Sequence, residues 1–414
     1  MKLLYNTLTF AAALLLSSCV SMEAERHYAS SLHRLSVSVE WPEGYGEYMR
    51  EGVEVRIADN VTGNMFTTVT DAAGRAAADV TEGFYNVSVS DIFSRSVIFN
   101  GSADRVRVTG GDTELRLRLM KAETSALVIK EIYCGGCTKY PGVGTYQSDK
   151  YVILHNNSSE TIFLDGLCFG ALDPYNAQAT NVWVSTDPVT GETIFPDFLP
   201  VVEAVWKFDG DGDDFPLEGG ADAVIAVCGA IDHTLQFPNS VNLNREDCFV
   251  CYNRVYYPNT LYHPVPGDRI EPSHYLKVVI KVGRANAYPY SVNSPATVIF
   301  RAKECTIEEY VAREESVMQK PGSSQERIVK IPVEWVLDAV EVYDASTSNN
   351  KKRLPPVLDA GYVFFSGTFN GHTLHRRLDA VATAEEGFPV YADTNNSSVD
   401  FYERDTQSLK DNAL

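Results

Sequence analysis

The sequence predicts an all-β protein on three observations. Apolar and polar residues alternate strictly from Leu35 onward, as in "LSVSVEW", "GVEVRIAD", "FYNVSVSD" and "RVRVTGGDTELRLRL". That period of two places Leu35, Val37, Val39 and Trp41 on one face of a strand. Turn signals punctuate the runs at "NVTG" (60–63), "DAAG" (71–74) and Glu82-Gly83, where the residues tolerate the backbone of a tight turn. Finally, one stretch alone reads as helical, "CTIEEYVAREESVMQ" from Cys305. Thr306 and Glu309 form a capping box there, ahead of a partial apolar stripe through Ile307, Tyr310, Val311, Val317 and Met318.

The chain has 414 residues and is 44% hydrophobic, enough for two or three cored domains. A formal net charge of −20 repels phosphate backbones and anionic lipid headgroups, which excludes nucleic acid as the expected partner.

The N-terminus, "MKLLYNTLTFAAALLLSSC", has a basic start at Lys2, an apolar run too short to span a bilayer, and small residues ahead of Cys19. It reads as a signal peptide over 1–18. Leu16-Ser17-Ser18-Cys19 resembles a bacterial lipobox, which implies acylation of Cys19 and anchorage to a membrane through lipid. The small, acidic start that follows, from Val20 to Glu25, resembles the export signal of surface-exposed Bacteroidetes-type lipoproteins. It opens a linker over 19–33. The expected location is therefore the outer membrane, lipid-anchored and facing the cell surface.

About six strands within 34–120 make a small β-sandwich. The run "TTVTDAAGRAAADVTEGFYNVSVS" resembles prealbumin-like modules of the carboxypeptidase-regulatory or Cna-B kind, which implies a spacer or binding fold and no chemistry. Residues 124–404 begin "ALVIKEIYCGG" and continue "DKYVILHNNSSETIFLDGLCFG". Lys130-Glu131-Ile132, Asn156-Asn157 and Asp165-Gly166 resemble a lamin-tail-type domain, an immunoglobulin-like β-sandwich, with Ile153 standing where that pattern has a glutamate. "FPLEGGADAVIAVCGAIDHT", "PATVIFRAKE", "IPVEWVLDAVEVY", "RLPPVLDAGY", "GHTLHRR" and "DTNNSSVDF" extend the resemblance to an uncharacterised family of Bacteroidetes-type lipoproteins. That family is encoded beside TonB-dependent outer-membrane transporters, which implies an envelope role. The expected fold is thus two consecutive β-sandwiches, the second enlarged by insertions and carrying one short helix, with 405–414 a frayed tail.

Candidate chemistry is sparse. Apart from Cys19, the eight cysteines leave Cys134, Cys137, Cys168, Cys228, Cys248, Cys251 and Cys305. The pairs Cys134/Cys137 and Cys248/Cys251 are compatible with structural disulfides, with a four-thiolate zinc site, or with separate buried thiols. A redox centre is disfavoured, because no helix follows "CGGC" to stabilise a thiolate. Asp209, Asp211 and Asp213 alternate as calcium ligands do, but the loop lacks the glycine and glutamate of an EF-hand, and a hairpin loop explains the same residues better. Tyr252, Tyr256, Tyr257 and Tyr262 lie in a proline-punctuated segment, where tyrosines grip a surface glycan or protein, or pack a core. His372 and His375, three apart on a strand, face opposite ways and read as a surface pair beside Arg376 and Arg377. No catalytic constellation is visible, and no cofactor is expected beyond the zinc or calcium alternatives. The expected function is binding, adhesion or scaffolding, as an accessory to a TonB-dependent transporter or as an adhesin without a transport role. The rival is a metal-binding or metal-dependent protein using the cysteine pairs.

Overall fold

The alternation at Leu35 becomes β1 (His33–Glu40), in which Leu35, Val37 and Val39 are buried while Ser38 is exposed. In the computed structural model, which describes residues 32–45, 50–94, 96–188 and 192–410, seven more strands follow. They are β2 (Glu54–Asp59), β3 (Met65–Val69), β4 (Arg75–Val80), β5 (Gly83–Ser94), β6 (Val97–Val108), β7 (Thr113–Arg118) and β8 (Met120–Glu123). Two sheets result, β4-β1-β7 and β3-β2-β5-β6-β8. Their inner faces enclose one core of Leu35, Val37, Val55, Val87, Phe99 and their neighbours. The turn between β3 and β4 closes at Gly74, whose φ of +73° and close approach to the Trp41 ring leave no room for a side chain.

Strand pairing changes after Glu123. β9 (Leu127–Tyr133) sits inside a six-stranded sheet between Tyr151–Asn156 and Thr373–Arg376, with Asp222–Ala226, Cys248–Val250 and Phe401–Arg404 completing it. The facing eight-stranded sheet contains Cys168–Leu172, Phe198–Lys207, Ala296–Phe300 and Val336–Asp344 at its centre. The main core lies between them, with Ile129, Ile132, Leu154, Phe169, Trp206 and Val340 among its members. Both sheets are also covered on their outer faces, one by a cluster including Tyr151, Val224, Val241 and Ile270, the other by a cluster including Ile307 and Trp335. All seven residues of β9 are accordingly buried, the pattern of a strand with no solvent face.

The second sandwich carries more helix than the single one expected. The capping box at Thr306 and Glu309 is present, but the helix covers only Ile307–Val311, and Met318 belongs to a strand, Val317–Gln319. Two further short helices form at Ala380–Glu386, capped by Asp379, and at Ser397–Asp400, capped by Asn396. Their apolar content is too low for a periodic stripe, so only their caps marked them. The expected frayed tail is also corrected: Gln407, Ser408 and Leu409 are buried. Ser408 is tied down because its N–H and hydroxyl both donate to the Glu131 carboxylate. Among the described residues no helix is long and apolar enough to cross a membrane.

Candidate functional site

The cysteine pairs do not converge. Cys248 and Cys251 bracket a three-residue strand and face opposite sides of the sheet, Cys248 in the outer cluster and Cys251 in the main core. Cys134 lies in the main core near the Val292 carbonyl, whereas Cys137 lies 3.7 Å from Asp149. All seven cysteines beyond Cys19 are free thiols in the structure, and six, including Cys168 and Cys228, are buried. Burial pushes the thiols of Cys134, Cys137 and Cys248 up to about 12, far from the thiolate that metal binding or redox exchange requires. Among the described residues no set of three or more His, Cys, Asp or Glu side chains is placed to hold a metal ion, which corrects the zinc and calcium alternatives. Cys19 lies outside the described residues.

The aspartate loop is organised from elsewhere. Asp165 accepts the backbone N–H groups of Gly212, Asp214 and Phe215 at 3.0–3.1 Å. Asp209 pairs with Lys207 (2.6 Å) and Lys277 (3.2 Å), while Asp211 and Asp213 point to solvent. The same two lysines bond Glu308; against the upward push of burial, they bring its carboxyl down to about 2.

The tyrosines form no single platform. Tyr257 is wholly buried against Trp206, half-buried Tyr252 packs on Tyr275, Tyr256 is exposed and Tyr262 is half-buried at the loop surface. That surface is nonetheless distinctive. Loops from the 140s, 230s and 250s are tied together by Tyr146 to His233 (2.7 Å), Gln147 to Tyr262 (3.3 Å) and Ser148 to the Leu261 carbonyl (3.1 Å). Their tips expose Val143, Leu235 and Val255 almost fully and Leu261 largely.

The histidine pair beside two arginines is also corrected. His375 and Arg376 are buried, and Arg376 pairs with Asp338, Asp393 (3.0 Å) and Asp400 (3.7 Å). His372 bonds Glu403 at 2.6 Å. A second buried pair joins Arg353 to Glu341 at 2.6 Å, and the remaining guanidinium protons go to the carbonyls of Pro174, Ser294 and Val342. Lys130 meets Asp222, which also bonds His155 at 2.6 Å. Glu131 accepts from Tyr151 (2.5 Å) directly across from Ile153, so the carboxylate sits on the neighbouring strand. Most polar residues of "KEI", "VLDAVEVY", "RLPPVLD", "GHTLHRR" and "DTNNSSVD" thus pair with one another inside the second sandwich, while Arg377 is exposed and His372 half-buried.

A solvent-open cleft lies where the two sandwiches meet. Their seam is polar: Asn100 donates to the carbonyls of Thr394 (3.0 Å) and Asn395 (3.3 Å), Asn396 to Ser90 (3.0 Å), and Asn86 to the Tyr362 hydroxyl (3.2 Å). Beside it opens a cleft of about 1510 Å³, placed where ligand sites are most often found, between domains. One wall is formed by Ser102–Arg107 of β6, Thr113–Arg118 of β7, and β8; the other includes Phe195, Pro196, Lys303, Glu334, Leu337 and Leu358. Arg105, Arg107, Arg116 and Arg118 are exposed on the first wall. Arg116 and Arg118 share Glu40 (3.1 and 3.2 Å), and Arg105 stacks over Phe84 at 5.2 Å. At the cleft's inner end Asp104 is pushed up to about 6 by burial, against the opposing pull of Lys352. Sequence reasoning read "RVRVTGGDTELRLRL" as strands only; the signal for a site was the arginines alternating on both sides of a Gly-Gly turn.

No curated protein matches the chain. Among solved structures, a DUF4876 family protein from Bacteroides thetaiotaomicron is 26% identical over 89% of this chain and 94% of its own, with a TM-score of 0.56. The Bacillus anthracis TIE protein aligns over 46% of this chain and 32% of its own at 12% identity, with a TM-score of 0.15 that carries no argument. Residues 218–408, which contain every buried arginine described above, match the model of DUF4876, a family described as proteins of unknown function.

Proposed function

We propose that this chain is a non-catalytic outer-membrane lipoprotein, tethered through Cys19, that binds a ligand or partner in the cleft between its two sandwiches and serves a TonB-dependent uptake system. The cleft carries the reading, since it joins a large solvent-open volume to exposed cationic side chains. The lipobox-like N-terminus and the likeness to a Bacteroides protein support the location. The prealbumin-like first sandwich acts as spacer and cleft wall; the lamin-tail-like second sandwich supplies the rigid body.

The test uses outer-membrane vesicles from cells lacking the protein, to which labelled full-length chain is added. Lys303→Trp combined with Glu334→Trp fills the cleft from exposed positions on the second wall. Saturable binding should fall at least tenfold; equal binding overturns the cleft as the site. Protection of the chain from protease on intact cells would overturn surface exposure.

A second reading, adhesion without transport, is favoured by the apolar loop tips at Val143, Leu235, Val255 and Leu261, since exposed apolar patches mark contact surfaces.

A further inference from the structure

The cleft's first wall has an unusual makeup. Every residue from Thr113 to Arg118 borders it, and so does every residue from Ser102 to Arg107. A sheet presents alternate residues from its face, so an unbroken run means that the strand's edge, with its backbone groups, is turned to the cleft. β7 is the end strand of its sheet, bonded only to β1, in parallel. β8 pairs with β6 only at Val97–Asn100, so Ser102–Arg107 also has one free edge. Between the 109–112 turn and the Asn100–Met120 pairing, where the Arg118 carbonyl lies against Gly101, the two edges run with no ladder between them. Among the described residues, no hydrogen bond satisfies the outward N–H and C=O groups of β7.

Side chains at these edges sort by face. Leu115 packs half-buried against the first core, as do Ala103 and Val106 across the opening. Arg116 and Arg118 stand on the solvent face, and Arg105 and Arg107 are exposed on the other edge. The two edges hold these four arginines against Asp104 and Glu114, with Glu40 shared between Arg116 and Arg118. With Glu40 counted the two edges keep one positive charge in excess, while the rest of the lining sets Lys121 and Lys303 against Glu123, Glu192, Asp197 and Glu334, so the positive character is local to the edges.

We propose, building on the cleft reading above, that the occupant is an extended polypeptide segment of a partner protein with alternating apolar and acidic residues, added as a strand to the free edge of β7. Its backbone satisfies the unpaired edge. Its apolar side chains enter the opening beside Ala103, Val106 and Leu115, and its carboxylates, two residues apart, meet Arg116 and Arg118. An anionic glycan matches the charge but cannot complete the ladder.

Fluorescence anisotropy with the detergent-solubilised full-length chain tests this, using an eight-residue Val-Glu alternating peptide as probe. The same peptide N-methylated at alternate residues should bind at least tenfold more weakly, because it cannot pair with the edge. Arg116→Glu with Arg118→Glu should cost at least tenfold for the Val-Glu peptide and favour a Val-Lys counterpart. Equal binding of the N-methylated peptide, indifference to the arginine substitutions, or displacement of the peptide by oligogalacturonate at equal carboxylate concentration overturns strand addition. If the peptide fails while vesicle binding still depends on Lys303 and Glu334, strand addition is wrong and the cleft reading stands.

Discussion

The two sandwiches solve the same problem in opposite ways. β1 of the first buries every second residue and leaves the others to water, while β9 of the second buries all seven, a lysine and a glutamate included. A single-layer face can keep its charges solvated, as Arg116, Arg118 and Glu40 are. A sheet covered on both faces cannot. There the charges survive only where a partner of opposite sign and a full set of hydrogen bonds replace water. The first module's edge is therefore available for binding, and the second module's charges are committed to holding itself together.

The contrast can be broken most forcefully at Arg353, which is completely buried with Glu341. Arg353→Met leaves Glu341 buried without its counter-charge and should cost about 3–5 kcal/mol, read as a lowered midpoint in denaturant unfolding. A loss under 1 kcal/mol would mean that the network is not structural.

A smaller effect is expected from pH. Burial pushes both Asp338 and Asp400 up to about 7, although Arg376 beside them pulls the other way. Three carboxylates, counting Asp393, face this one guanidinium. In the unfolded chain these carboxyls titrate near 3.8, so between that value and about 7 the folded state binds the extra proton. Stability from this site is therefore greatest at low pH and falls as pH rises through the folded value. Asp400→Asn, which needs no proton, should remove a slope on the order of 1 kcal/mol between pH 5 and 8 in thermal unfolding; an unchanged slope would locate the proton elsewhere.

Smallest of all, Arg118→Ala in the first module breaks an exposed pair with Glu40 and should shift stability by about 0–1 kcal/mol, less still at high salt. A loss as large as that at Arg353 would erase the distinction between the modules.

Legibility followed the same divide. In the first sandwich the faces of β1 and the turn at Gly74 could be read from alternation and turn chemistry, since one face is wet and the other dry. In the second, Cys248 and Cys251 left disulfide, zinc and buried-thiol readings open, because the spacing does not reveal that their strand is dry on both sides and that each thiol fills a different core. "GHTLHRR" looked like surface because it is polar; its Arg376 is buried because Asp338, 38 residues before it, and Asp393 and Asp400, after it, meet its guanidinium. The tail was misread for the same reason, since Glu131 waits for Ser408.

By itself the sequence determined the all-β class, the alternating strands of the first module, and the capping box at Thr306, all of which are local patterns carried by neighbouring residues. Only the tertiary structure decided which charges are buried, which thiols are separated, and that the edges of β6 and β7 open onto a cleft. Each of these depends on which distant segment covers a given face, and local periodicity carries no information about that.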